Sequence, residues 1–237
     1  MRNSKSPVDY LPTPVPSSMY LFPVESSEIE DEISNLKISK ACGPFSVPVK
    51  LLKLIKNIIS QPLEIIYNFS FSSGIVPSSF KLADVIPVYK RDSQYSLSNY
   101  RPISLLSVFN KLLEKLMAKR LISFLDKHKA LFSNQFGFRS NYSTDYALLS
   151  IVDKVQKSID NSDYSCGIFL DFSKAFDTVD HNILLTKLDN YGIRGITKKW
   201  FASYLSNCQQ SVIINDIKSD LQSCSKYLGP PVRFYFL

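Results

Sequence analysis

Apolar residues recur every three or four positions over most of this chain, and shorter continuous or alternating apolar runs separate the helical stretches. The first 25 residues fall outside this rhythm. They hold five of the thirteen prolines and read as an extended linker or tail. Ser26 or Ser27 can cap a helix whose acidic first turn (Glu28, Glu30, Asp31) leads into a stripe of Ile29, Ile33 and Leu36. Gly43-Pro44-Phe45-Ser46 breaks it. Pro48 suits the first position of a second helix, with Leu51, Leu52, Ile55, Ile58 and Ile59 on one face. A third is expected from near Pro62 to a C-terminal cap at Gly74. Ala83 to Tyr89 reads as a strand, with Pro87 marking an edge or an end. In the long helix that follows, Leu105, Phe109, Leu112 and Leu116 form one row, and Leu113, Met117 and Leu121 another. Lys111, Lys115, Lys119 and Arg120 occupy its other faces. A further helix starts after Ser143-Thr144 and runs towards Ile159. Tyr164 to Leu170 then reads as a buried strand, and helices over 181–190 and 195–206 precede a hairpin turned at Asn215-Asp216. Helices around a few strands in irregular order predict the α+β class.

Composition narrows the function. Four scattered cysteines, with no Cys-x-x-Cys pair and no histidine at ligand spacing, argue against a zinc module and a disulfide-stapled secreted domain. No run has the length of a signal peptide or a membrane span, so an intracellular protein with no membrane partner is expected. The net charge of +7 is unevenly placed. Between Lys81 and Ser140 there are eleven Lys and Arg against four Asp and Glu, while the remainder carries seventeen of each sign. Such a local excess fits a polyanion partner, and equally a solvated helix face.

The densest chemistry lies in Gly167-Ile-Phe-Leu-Asp171-Phe-Ser-Lys-Ala-Phe176-Asp177-Thr-Val-Asp180-His181. A buried strand that delivers Asp171 at its C-terminal end, with a short helix starting at once through Ser173, would hold a carboxylate rigidly at a cleft, as a Mg²⁺ ligand requires. Helix capping by Asp171 and surface placement of Asp177 and Asp180 is the plainer alternative. The string resembles the first palm motif of non-LTR retrotransposon reverse transcriptases. That resemblance implies a catalytic, magnesium-binding Asp171 with Phe172 beside it, and a steric gate against ribonucleotides at Phe176, which otherwise fills the core. Asp177 and Asp180 then orient local backbone.

Other segments extend the resemblance. Val85-Ile-Pro-Val-Tyr-Lys90 and Ser98-Asn-Tyr-Arg101-Pro-Ile-Ser-Leu-Leu106 are similar to the family's fingers motifs. They imply nucleotide binding by Arg101 and by Lys90 or Arg91, chemistry suited to phosphate oxygens. The string Gln135-Phe136-Gly137-Phe138-Arg139, followed by Ser143-Thr144, resembles the segment that the family places against the template. Phe136 and Phe138 as core, with Ser143 as a helix cap, is the structural alternative.

From these motifs we expect a proline-rich tail (1–25), a helical extension (26–82), fingers (83–162), a partial palm (163–224) and an aberrant end (225–237) of a right-hand polymerase. The family's Pro-Gln-Gly and aromatic-Ala-Asp-Asp strings do not occur, and the end reads as a frameshift or an incomplete gene model. The implied reaction is RNA-templated DNA synthesis with two Mg²⁺ ions, an RNA template, a DNA primer and deoxynucleoside triphosphates. With Asp171 as sole carboxylate, this polypeptide alone is expected to be inactive. The competing readings are a binding-only remnant or decayed element, and a maturase-like intron polymerase.

Overall fold

The structure is a computed structural model that describes residues 7–38, 43–44, 47–172, 175 and 178–223. Its helices are α1 (Ser26–Ser34), α2 (Val49–Leu54), α3 (Lys56–Ser73), α4 (Val108–Lys127), α5 (Thr144–Asp160), α6 (His181–Asn190) and α7 (Gly195–Leu205). The strands are β1 (Leu82–Tyr89), β2 (Tyr100–Leu106), β3 (Gln209–Ile214), β4 (Ile217–Lys218) and β5 (Gln222–Ser223). The α+β class is as expected.

Helix α4 is the centre of the helical layer. Leu112, Leu113, Leu116 and Met117 are fully buried, with Ile29 and Ile33 of α1, Tyr67 and Phe71 of α3, and Trp200 and Phe201 of α7 in the same core. Polar tips within it are paired: the Trp200 indole donates to Ser70 Oγ at 3.0 Å and the Tyr67 hydroxyl to the Phe109 carbonyl at 2.8 Å. Several element boundaries differ from expectation. Ser107 caps α4 by accepting the Asn110 amide, so Leu105 belongs to β2 and not to the helical row. Pro62 lies inside α3 instead of starting it, because Ile55 breaks α2 from α3 a full turn and more earlier. Ser26 is the first residue of α1, its hydroxyl bonded to Glu64, and Glu25 is the cap. Gly74 does end α3, in the left-handed conformation at φ 69°.

The sheet order is β2-β1-β3-β4, with β5 also paired to β3. β1 and β2 are antiparallel from Ala83↔Leu106 to Tyr89↔Tyr100, while β3 runs parallel to β1 only over Leu82–Val85. β1 is thus an inner strand at its start and one arm of a free hairpin beyond Val85. The Lys90 amide donates to the Asn99 carbonyl at 2.8 Å, which makes alternate pairs hydrogen-bonded and puts Pro87↔Pro102 at a level where neither residue needs an N–H towards the other. Proline is tolerated here for that reason. The expected hairpin at Asn215-Asp216 is present: both residues have positive φ (48° and 63°), as a type I′ turn requires.

Two further segments depart from the sequence pattern. In the proline-rich start a short 3₁₀ helix (Pro7–Tyr10) is followed by residues without regular structure, as in a linker, yet residues 12–24 are held in place. The Val15 amide donates to Asn190 O, Met19 to Gly192 O and Val24 to Asn68 Oδ1, while Arg194 Nη2 donates to Val15 O at 2.8 Å. Met19 and Val24 are buried. The second departure is a correction. Tyr164 to Leu170 is neither a strand nor buried; it has no regular structure, and Tyr164, Ile168, Phe169 and Leu170 are exposed. An apolar run becomes a buried strand only where a sheet edge accepts its N–H and C=O groups, and no described strand pairs with it.

Candidate nucleotide and template site

The free hairpin positions the first group of site residues. Arg101 is paired with Val88, and Lys90 lies two residues beyond Val88 in a continuing ladder. Side chains alternate between faces at a period of two, so Lys90 and Arg101 share one face, while Arg91 lies in the bend past the end of the ladder. All three are exposed. Arg91 Nε is also 3.6 Å from Asp92 Oδ2, at the loop's left-handed residue (φ 71°).

The second group occupies the loop between α4 and α5. Arg139 lies over the Tyr142 ring at 4.4 Å, and its Nη2 is 3.7 Å from Asp126 at the end of α4. Phe136, half-buried, meets the Tyr142 ring edge-on with centroids 5.9 Å apart. Phe138 is exposed and held at φ 60°, a conformation unusual for an aromatic residue. Gln135 Nε2 reaches the Gly137 carbonyl at 3.4 Å, and nothing lies near where a Gly137 side chain would stand. Ser143 caps α5 by accepting the Tyr146 amide. So one aromatic of the motif packs within the loop and the other faces solvent.

Between this loop, α4 and α6 lies a cavity of about 620 Å³. Leu121 and Leu125 of α4 and Ile183 and Leu184 of α6 form much of its wall, with Gln135 and Arg139 at its polar side. Asp180 borders it too, but its Oδ1 accepts the Asn182 and Ile183 amides at 2.8 and 3.1 Å and caps α6. Its role is local, as the sequence implied.

Asp171 and Phe172 are exposed and outside regular structure, whereas Phe176 and Asp177 lie outside the described residues. Among the described residues no three His, Cys, Asp or Glu side chains converge to hold a metal ion. Asp171 supplies one carboxylate, which does not by itself fit a two-ion site.

Two acidic residues that the sequence did not single out hold the framework of this region. Asp84 of β1 is nearly buried, accepts Ser211 Oγ of β3 at 2.9 Å and pairs with Lys218 of β4 at 2.7 Å. Glu114 of α4 is buried and accepts both the Tyr204 hydroxyl and Asn110 Nδ2, while Asn110 Oδ1 has no partner. Burial pushes the Glu114 carboxyl up to about 7, against the pull of those two hydrogen bonds. Neither residue interrupts an apolar period conspicuously enough to be read from sequence.

A hairpin with two exposed cations on one face, a loop with an exposed aromatic and an Arg–Tyr stack, and the segment of Asp171 follow one another along the chain. The family model for reverse transcriptase (RNA-dependent DNA polymerase) matches residues 88–229, and the chain belongs to that family. Its relatives are proteins of mobile elements. It is 33% identical over 180 residues to the RNA-directed DNA polymerase from mobile element jockey of Drosophila melanogaster, covering 76% of this chain and 20% of that protein. The probable RNA-directed DNA polymerase from transposon BS of the same fly is 32% identical over 182 residues, with the same coverage. The Pol polyprotein from type-1 retrotransposable element R1 of Bradysia coprophila is 28% identical over 169 residues, 70% of this chain and 16% of that protein. The chain thus spans about a fifth of the length of the first two relatives.

Proposed function

We propose that this chain is the fingers and the opening part of the palm of an RNA-directed DNA polymerase. The Lys90–Arg101 face receives the triphosphate of an incoming deoxynucleotide, and residues 135–139 lie along an RNA template paired with a DNA primer. The observation that carries this reading is the hairpin register, which sets an ammonium and a guanidinium on one exposed face without a carboxylate between them. Of the two alternatives for the second phosphate ligand, the same register favours Lys90 over Arg91. Phe138 and the Arg139–Tyr142 stack offer π-faces to unpaired bases. Asp171 is proposed as one metal ligand, with Mg²⁺ as the ion and Phe172 alongside; the carboxylates that complete such a site are not in this polypeptide's motifs. On its own the chain is therefore proposed to bind and not to extend.

Primer extension on an RNA template, with wild type beside Asp171→Asn, tests the second half of this statement. Folded wild-type protein should give no extension, and extension that disappears in the variant would overturn that claim. Equilibrium binding of a labelled deoxynucleoside triphosphate tests the first half. Lys90→Ala and Arg101→Ala should each weaken it roughly tenfold, as loss of a charge-assisted contact does, and Arg91→Ala much less. Equal losses in all three would sink the face assignment.

A further inference from the structure

The cavity between α4, α6 and the loop over 131–141 is walled by successive parts of this one chain, so it is a formed pocket and not a face that awaits a second layer. Leu121 and Leu125 stand opposite Ile183 and Leu184, and the buried Phe201 of α7 is also in its lining. At about 620 Å³ it belongs to the size class of pockets that take a small organic group. Its polar lining is balanced in charge. Arg139 and Lys187 stand against Asp126 and Asp180, and Gln135 and Asn141 add two amides, each both donor and acceptor.

Several of these groups are under-used. The Arg139 side chain is only 19% exposed, yet its polar contacts are long, 3.4 Å to the Phe132 carbonyl and 3.7 Å to Asp126. Gln135 Nε2 is likewise 3.4 Å from the Gly137 carbonyl. N–H groups at such lengths are weakly satisfied. Phe138, in the same lining, is exposed and held at φ 60°, and aromatic residues keep such a conformation mainly at sites where their surroundings impose it. A lipid or other amphipathic anion calls for an excess of positive charge, which the described lining residues do not carry. A flat heteroaromatic group, with two apolar faces and an edge of donors and acceptors, suits the aliphatic walls and the amides together. In a chain of an RNA-directed polymerase family, that group is a nucleobase.

We propose that the cavity takes one unpaired base of a bound RNA. The aliphatic walls and Phe138 cover its faces, Gln135 and Asn141 meet its edge, and the exposed Lys187 meets its phosphate. An unpaired base is the one that costs least to extrude. The proposal rests on the template reading for the nature of the polymer, and it adds α6, which that reading does not use.

Equilibrium binding to two RNA–DNA duplexes, one fully paired and one with a single unpaired RNA nucleotide, tests it. Wild type should bind the second about tenfold more tightly, as stacking and edge contacts to one base provide. Ile183→Trp fills the cavity from a wall position that is 41% exposed, and it should bring the two affinities within about twofold of each other. Gln135→Ala, which removes an edge contact, should reduce the preference severalfold, and circular dichroism should report the same fold in both variants. Equal binding of the two duplexes by wild type overturns the proposal, as does a preference that survives both substitutions. Failure to bind either duplex overturns the template reading and this proposal with it, so the two failures are told apart by the paired duplex.

Discussion

Glu114 and Glu32 give α4 two carboxylates of opposite behaviour. At Glu32, burial works to raise the carboxyl, but hydrogen bonds from Lys119 and Lys115, together with their charges, hold it below its ordinary value. Its stabilising share is present above that ordinary value and is lost on acidification. At Glu114 the folded value of about 7 exceeds the ordinary 4.5, so the folded state holds the proton more tightly. Stability from this group is full below about 4.5, falls as pH rises to about 7 and is level beyond. Protonation also turns a Glu114 oxygen into a donor, which Asn110 Oδ1 accepts once the amide turns over. Glu114→Gln should therefore change little at pH 5 and stabilise the fold at pH 8, by on the order of 3 kcal/mol. Urea unfolding at the two pH values checks this, and an unchanged pH slope in the variant would mean that Glu114 stays charged. Arg120 shows the opposite economy: its guanidinium donates to Glu28, Phe22 O, Pro23 O and Leu116 O, and every N–H is used.

Among the elements, the anchored segment 12–24 is the one with the longest reach, since it binds residues of α6, α7 and α3. Gly192 makes its close approach feasible: with φ at 91°, a side chain there would collide with the Ser17 carbonyl. Gly192→Ala should speed amide hydrogen exchange at Val15 and Met19 while leaving the α4 core protected, and uniform loss of protection would show instead that the segment and core unfold as one. This element was not legible from sequence, because its partners are backbone carbonyls and side chains some 178 positions away and its prolines carry no periodicity. Local signals fared better. The positive-φ pair Asn215-Asp216, the αL residue Gly74 and the cap Ser143 are decided within a few residues, and they stand where the sequence puts them. Tyr164–Leu170 failed for the converse reason: strand propensity is real there, but a strand is made by its neighbours. At the site, residue types pointed to Lys90, Arg91 and Arg101 together, and only the extent of the ladder, which reaches Lys90 and not Arg91, separates Arg91 from the other two.

Over the whole molecule, the basic excess between Lys81 and Ser140 is less available than its count implies. Lys115 and Lys119 are paired with Glu32, Arg120 with Glu28, and Arg139 lies near Asp126, so much of the positive charge binds the N-terminal helix to α4. Arg91 likewise lies near Asp92, and among the described residues of that stretch the exposed cations without an ion pair are Lys90 and Arg101 on the hairpin and Lys127 and Lys129 at the end of α4. Single-stranded RNA binding should accordingly show a shallow salt dependence, with log K falling by roughly 3 per log unit of salt. A slope near 6, measured by titration at several salt concentrations, would mean that the paired cations are recruited as well. The facing prolines of the hairpin have a consequence for how these molecules meet in a crowded solution. At the level of Pro87 and Pro102 the missing N–H groups point outward, one along each edge of the arm, beyond the reach of β3. A stray strand that began to add to either edge would meet a gap in the row of donors at the same height. The arm is thereby protected from edge-to-edge aggregation just beyond the point where it leaves β3.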